Sequence, residues 1–595
     1  MTVAERGGGG RGPEAILAIL AGLAFLGALG SVDLWGKREQ RAAAEALDTL
    51  REGHWLIAQV QARPRLEKPP LPRWAIAATM ALTGRRDEWA LRLPGALAAL
   101  GTVALVYGLG RRVGGREAGR AAGLALASSA FFVSELRQAG NDGPLAFFVT
   151  LALYAAWRRL EPETAGTSSG RRGWALLFSA ATGLGFLTKG PIVVLIVGLT
   201  VVPYLAVTRS LGAGLRRLAD PWGALLFLGL AASWPAAVLL AEPRAWEVWW
   251  LEMAQKAGAA GVHRGRPRLP LAADWPWMVA PWGVVAAMSL ALPFARPGRP
   301  ARPSTWFPWC WAVANLAMLC TWRVAKPNYY VPCLPATAIL VGVEWVRIAR
   351  AARGGMSWPA IHARRVLQAH WVAFLMAALI APAVAARAWP EMLGWTLVGS
   401  ACLASGVVAG MRAWRRGADS GALAPIAAGL VAAVAIGYGA IAPAMDGLRG
   451  HRDLAARIDR AVPRDSGPIR FFVELDEGLW FRLPGRDLAP VPGTQPRFNK
   501  GFDLVEDARA NRLLDDEARI ELEKQTLLGW IAEHGRESPY LLIRDKMLAQ
   551  VAGDLAPLAD EVIREHGLRR NALVLLRLKA PEAATAGRAG RPARR

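Results

Sequence analysis

The sequence predicts a polytopic α-helical membrane protein with a C-terminal α/β soluble domain, and three observations carry that reading. Apolar runs recur from residue 14 to residue 445, and a run of about 20 apolar residues is what a helix needs to cross the hydrocarbon core. The loops joining alternate runs are rich in arginine and poor in acid, the bias that sets orientation in a membrane. After residue 445 the chain turns to helix-like and strand-like stretches with ordinary charge. The bulk numbers average these regimes: 53% hydrophobic and 20% charged residues, with mean hydropathy +0.23.

The formal net charge of +24 would suggest nucleic acid in a soluble protein. Here the arginines flank apolar runs, so membrane lipid phosphate is the expected partner and nucleic acid is not. Cys310, Cys320, Cys333 and Cys402 lie in or near apolar runs and form no CxxC pair. They read as small buried residues rather than a zinc or disulfide framework.

Taken in order, the N-terminus is basic before an apolar run but shows no small-x-small cleavage site, so 15–32 reads as an uncleaved first span. Further candidates are 91–110, 121–136, 143–157, 174–188, 191–207, 221–241, 277–295, 305–322, 330–346, 367–387, 393–411 and 422–443, giving about 13 spans by the length criterion. The run 74–83 is too short to span and reads as re-entrant or interfacial. With the N-terminus inside, the arginine-rich loops are cytoplasmic and the C-terminal domain lies outside.

Two outer loops break the charge rule. The first, 33–73, holds Lys37, Arg38, Arg41, Arg51, Arg63, Arg65 and Lys68; the second, 242–276, holds Arg244, Lys256, Arg264, Arg266 and Arg268. Basic residues on the outer side oppose the topological preference, and an anionic ligand would compensate. Acids in the same loops, such as Glu39, Glu45, Glu247 and Glu252, offer the plainer alternative of mutual balance. Within the first loop, Ala42, Ala43, Ala46, Leu47 and Leu50 recur at helical spacing opposite Arg41, Glu45, Asp48 and Glu52, which predicts an amphipathic helix lying in the membrane interface. The EKPPLP stretch that follows cannot be helix interior, so Glu67 and Lys68 sit on stiff extended backbone.

Beyond the membrane domain (1–445), HRDLAARIDRA and DDEARIELEKQTLLGWIAEH read as helices, and IRFFVEL, LWFRL, YLLIRD and ALVLLRL as strands. This makes 446–580 a small α/β domain. The basic, Ala/Gly-rich tail 581–595 is expected to be disordered.

Five segments resemble, in order, the GT-C membrane glycosyltransferases of the protein-mannosyltransferase and aminoarabinose-transferase type. They are GHWLIAQVQARPRLEKPPLPRW (53–74), LRLPGALAALGTVALVYGLGRRVGG (91–115), NDGPLAFFVTLALYA (141–155), GLGFLTKGPIVVLI (183–196) and KPNYYVPCLPA (326–336). The resemblance implies a polyprenyl-phosphate-linked sugar donor, a lipid or protein acceptor, and transfer on the outer side of the bacterial cytoplasmic membrane, with the C-terminal domain periplasmic. In that group an acidic pair opens the first loop; here the matching positions are Arg38 and Glu39, so the first acid is missing.

Inverting sugar transfer needs a carboxylate to accept the acceptor's proton and cations to hold the leaving phosphate. Glu39 and Asp142 are the candidate bases. An ion pair with a neighbouring cation is the alternative for the first, a helix cap for the second, and Asp33 is an outside choice. Lys68 resembles the group's phosphate-binding lysine, and Glu67, with His263, a position implicated in binding a divalent metal. His263-Arg264 resembles the group's HR pair, and Arg264 suits a phosphate bidentately. Lys189 either snorkels or meets the donor at the membrane edge. Lys326 and Tyr330 belong to the KPNYY element; Tyr330 either donates to phosphate or is an aromatic-belt residue.

A transporter or flippase of lipid-linked substrates would carry ionisable residues in mid-span and paired repeats, whereas the charges here gather at loops and span edges. Arg38 in place of an acid keeps open a degenerate homologue that binds prenyl phosphate without transfer.

Overall fold

The computed structural model describes residues 12–60, 63–161, 169–257, 271–294, 303–322, 325–472, 476–494, 502, 505, 516–535, 537–565 and 572–579. His263, Arg264 and the tail 581–595 lie outside them. The chain forms two compact units.

The first unit comprises residues 1–32, 49–58 and 68–443 and is helical. Among the described residues, six helical segments are long and apolar enough to cross a membrane: Glu88–Gly114, Pro221–Ala241, Pro327–Ala351, Trp358–Ala388, Pro390–Arg415 and Ser420–Ala444. Shorter apolar helices include Gly12–Leu26, Ile192–Val207 and Gly283–Phe294. Several expected spans prove broken. The run 121–136 is split between the helices Arg116–Ala127 and Ala130–Leu136, and 277–295 is divided among short helical pieces.

Local chemistry sets the helix ends. Asp87 and Asp220 cap their helices by accepting from the N–H groups of Ala90 and Gly223. The helices Leu393–Arg415 and Leu423–Ile436 touch through Gly406 and Gly429, where a Cβ would collide with the facing backbone. Small residues that let backbones meet are the usual means of helix association in lipid. Two buried arginines hold the end of Gly12–Leu26 and the segment after it, Arg137 at the helix end and Arg92 beyond it. Arg137 donates to the carbonyls of Ala24 and Gly27 at 2.7 Å each, and Arg92 to those of Leu29 (3.0 Å) and Val32 (2.7 Å). Arg137 fits there because the last carbonyls of a helix are unsatisfied and carry partial negative charge.

The second unit comprises residues 33–48, 59–67 and 444–595. Its five-stranded sheet runs in the order Leu488–Pro490, Ile469–Phe471, Tyr540–Arg544, Leu573–Leu578, Ala559–Arg564; the first three strands are parallel and the last two pair antiparallel. Alternate residues face opposite sides. Tyr540, Leu542 and Leu575 pack with Leu454, Ile458 and Leu479, while Leu541, Ile543 and Leu576 pack with Leu527, Trp530 and Val551. The expected strand LWFRL is instead part of the helix Glu477–Arg482. Asp476 starts it by accepting from the N–H groups of Gly478 and Leu479.

The C-terminal part of the second unit begins at residue 444, beside the boundary expected at 445, but the unit also takes in 33–48 and 59–67 of the first outer loop. Most of the helix Lys37–Glu52 belongs to the second unit, and Ala44 and Val60 are part of its core. Ala43, Ala46 and Leu47 of its apolar face are buried by protein, where the sequence predicts an exposed interfacial helix. Charge ties the same stretch down. Glu477 accepts from Arg65 at 2.8 Å and Arg41 at 3.2 Å, and Asp33 accepts from Arg482 at 2.5 Å.

Candidate active site

Three of the motif segments meet inside the first unit. Asp142 is the first residue of the helix Asp142–Leu160. Lys189 is the last residue of the helix Ser169–Lys189; the chain leaves that helix through Gly190 at φ 73°, a left-handed turn that glycine adopts without steric cost. Asn328 and Tyr329 lie on the 3-10 turn Pro327–Cys333. Lys189 Nζ donates to Asp142 Oδ1 at 2.5 Å, and Asn328 Nδ2 donates to Asp142 Oδ2 at 3.0 Å. The Lys189 ammonium also sits 4.9 Å from the centre of the Tyr329 ring, a cation–π arrangement.

The pair is largely shielded, with side-chain exposures of 17% for Lys189 and 11% for Asp142. Shielding makes each partner costly to remove alone, because the other keeps a poorly solvated charge that has lost an opposite charge. An ammonium has three N–H donors, so donation to Asp142 leaves Lys189 able to meet a phosphate oxygen as well.

Lys68 lies in the same unit, where its Nζ donates to Glu252 Oε1 at 2.5 Å, with exposures of 38% and 25%. Glu252 is on the helix Ala245–Ala257. Nearby backbone is fixed by side chains: Arg73 and Trp74 donate to the Trp55 carbonyl at 2.7 and 2.8 Å, and Trp234 donates to that of Leu56 at 2.9 Å.

The remaining expected residues are placed differently. Tyr330 is fully buried. Its hydroxyl lies 3.2 Å from Thr337 Oγ1, accepts from Trp275 Nε1 at 3.3 Å and donates to the Ala312 carbonyl at 3.3 Å. The ring beside Lys189 is that of its neighbour, Tyr329. Lys326 is exposed at the start of the turn. Glu39, at 2% exposure, and Glu67 belong to the second unit. Arg38, in the position of the missing acid, is exposed. Asp33 is held inside the second unit, where its carboxylate accepts from Arg482 and from the N–H groups of Leu34 and Arg452. Burial works against its ionisation, but the Arg482 charge and these hydrogen bonds outweigh it and keep the carboxyl below its ordinary range.

Among the described residues, no group of three His, Cys, Asp or Glu side chains can hold a metal ion. Glu67 is described and His263 lies outside the described residues. Glu252, Asn328 and Tyr329 were not legible as site residues, although the last two lie inside the KPNYY motif.

The model of the dolichyl-phosphate-mannose-protein mannosyltransferase family matches residues 67–238, a stretch that contains Lys68, Asp142 and Lys189. Two undecaprenyl phosphate-alpha-4-amino-4-deoxy-L-arabinose arabinosyl transferases are similar. One, from Pseudomonas paraeruginosa, is 30% identical over 57% of this chain and 60% of its own length. Another, from Pseudomonas fluorescens, is 28% identical over 57% of each chain. These matches thus span less than two thirds of either relative. The crystal structure of ArnT from Cupriavidus metallidurans bound to undecaprenyl phosphate superposes with a TM-score of 0.73 at 21% identity, covering 95% of this chain and 98% of that one. The chain has the ArnT fold. The ArnT likeness extends over both compact units, since it covers nearly the whole chain. It agrees with the multi-pass GT-C architecture that the five sequence segments imply.

Proposed function

We propose that the chain is an inverting membrane glycosyltransferase that moves a sugar from a polyprenyl-phosphate donor to a lipid or protein acceptor on the outer side of the cytoplasmic membrane. The observation that carries this reading is the Lys189–Asp142 pair, 2.5 Å apart, inside the segment matched by the mannosyltransferase family. The relatives' names, the undecaprenyl phosphate bound to ArnT, and the arginine bias of the loops 347–365 and 412–416 support it.

Lys189 and Lys68 hold the donor phosphate, and Asp142 is the base. The bond from the anomeric carbon to the phosphate oxygen breaks and a bond to the acceptor oxygen forms. The acceptor's proton passes to Asp142, and the electron pair leaves with the polyprenyl phosphate, whose charge the lysines stabilise. Single displacement inverts the anomeric centre. Arg264 and Lys326 serve as further cations for the donor.

The test is turnover of a labelled polyprenyl-phosphate sugar by the full chain in liposomes. Asp142→Asn is expected to lower turnover by about 10²–10⁴, and Glu39→Gln to leave the chemical step near wild type. The reverse ordering would transfer the base to Glu39. Arg38 favours a second reading, a prenyl-phosphate binder without transfer. Donor binding by the wild type with no turnover on any donor or acceptor tried would select it.

A further inference from the structure

A separate cavity of about 400 Å³ lies in the first unit, lined by Arg353, Arg364, Leu367, Gln368, Trp371 and Trp414 together with Ala352. Its wall is one face of the helix Trp358–Ala388, because Arg364, Leu367, Gln368 and Trp371 follow the i, i+3, i+4, i+7 spacing. The end of the helix Leu393–Arg415 supplies Trp414.

The polar groups here are unequally satisfied. Trp414 Nε1 donates to the Ala349 carbonyl at 3.1 Å, and its ring meets Trp371 edge to face at 5.6 Å. Trp371 is only 8% exposed, yet its Nε1 has no hydrogen-bond partner among the described residues. A buried donor left unpaired costs free energy and is rare in a folded protein. Arg353 shares Asp419 with Arg350, at 2.5 and 2.6 Å. Arg364 donates to the carbonyls of Ala352, at 2.7 Å, and Gly355. Those acceptors are neutral, so its charge is not matched by a carboxylate among the described residues.

We propose that this cavity binds the headgroup of an anionic phospholipid. The phosphodiester accepts from Arg364 and from the Trp371 indole N–H, Gln368 binds the polar headgroup, and the two indoles and Leu367 pack against its carbon skeleton. The acyl chains are accounted for on the same helix. One turn after Gln368 begins an exposed apolar row, Val372, Met376 and Leu379, on a helix apolar enough to span the membrane. A free phosphate ion would use the cation and the indole donor but neither the indole faces nor this row. The site shares no residue with the Asp142–Lys189 pair, so the proposal stands independently of the sugar-transfer reading.

The test is native mass spectrometry of the detergent-solubilised full chain titrated with phosphatidylglycerol, phosphatidylcholine or inorganic phosphate. Phosphatidylglycerol is expected to bind in preference to phosphatidylcholine. Arg364→Gln should weaken that binding about tenfold and Trp371→Phe about threefold, the range for a charged and a neutral hydrogen bond. Trp371→Phe removes the unpaired donor together with part of a buried indole, so each variant's lipid-induced rise in melting temperature is read against its own lipid-free value, and the rise should be smaller in both variants than in the wild type. Equal binding of the two lipids, or undiminished phosphatidylglycerol binding in both variants, would overturn the proposal. Competition by inorganic phosphate at lipid-like concentrations would overturn the assignment to a lipid.

Discussion

Lys189 and Asp142 join the end of one helix to the start of another through a 2.5 Å charge-assisted hydrogen bond. Each sits where its helix favours it: the carboxylate at an N-terminus and the ammonium at a C-terminus, both complementing the backbone dipoles.

Stability should reveal the pairing directly. Lys189→Met removes the ammonium from a shielded carboxylate that also accepts from Asn328 and should cost about 3 kcal/mol. Combining it with Asp142→Asn should restore much of that loss, giving a coupling of about 1–3 kcal/mol. Thermal unfolding in detergent, comparing both single variants with the double, reads this out. Purely additive losses would show that the two residues do not depend on each other.

Lys68 is expected to act on binding. Lys68→Ala should weaken polyprenyl-phosphate affinity by roughly one to two decades, the value of a charge-assisted contact to phosphate. Glu252→Gln removes the carboxylate that now accepts from Lys68 and should leave affinity equal or higher. Calorimetry or fluorescence titration with polyprenyl phosphate measures both, and unchanged affinity in Lys68→Ala would remove Lys68 from the donor site.

The second unit should be acid-sensitive through Asp33. Its carboxyl is held below the ordinary 3.8 in the folded chain, so the stability it contributes is fully present above that value. It is lost as pH falls from about 3.8 through the lowered folded value. Asp446 works in the opposite direction, since burial holds its carboxyl up. Arg482→Gln should remove the Arg482 share of the Asp33 contribution, leaving the Leu34 and Arg452 N–H bonds, at a cost of about 3 kcal/mol near neutral pH for a broken buried pair, and should make the acid limb shallower. Denaturant unfolding of the full chain between pH 7 and pH 3 tests this; an acid limb as steep as the wild type's would refute it.

The membrane helices and the NDGP, TKGP and KPNYY segments were legible because apolar length and punctuation by Gly and Pro are local properties. The choice between Tyr329 and Tyr330 was not. Adjacent residues on a 3-10 turn point about 120° apart, and only the surrounding helices decide which ring is buried. The partner of the helix Lys37–Glu52 was hidden for a related reason. An apolar stripe with Ala43, Ala46 and Leu47 looks the same against lipid and against protein, and the ion pairs of Arg41 and Arg65 with Glu477 join residues more than 400 positions apart. Strand LWFRL failed because Asp476 supplied a helix cap that its apolar pattern does not register.

The second unit is assembled from segments that leave the ribosome at very different times. Residues 33–48 and 59–67 are made early, whereas most of their core partners begin at residue 444. Roughly 380 residues separate them, and at about 5–20 residues per second the early segment waits about 20–75 s for the strands and helices it packs with. During that interval the apolar face of the helix Lys37–Glu52 has no native core to join. It is the period in which the nascent chain would most benefit from a chaperone, and it makes closure of this unit a late step of biogenesis.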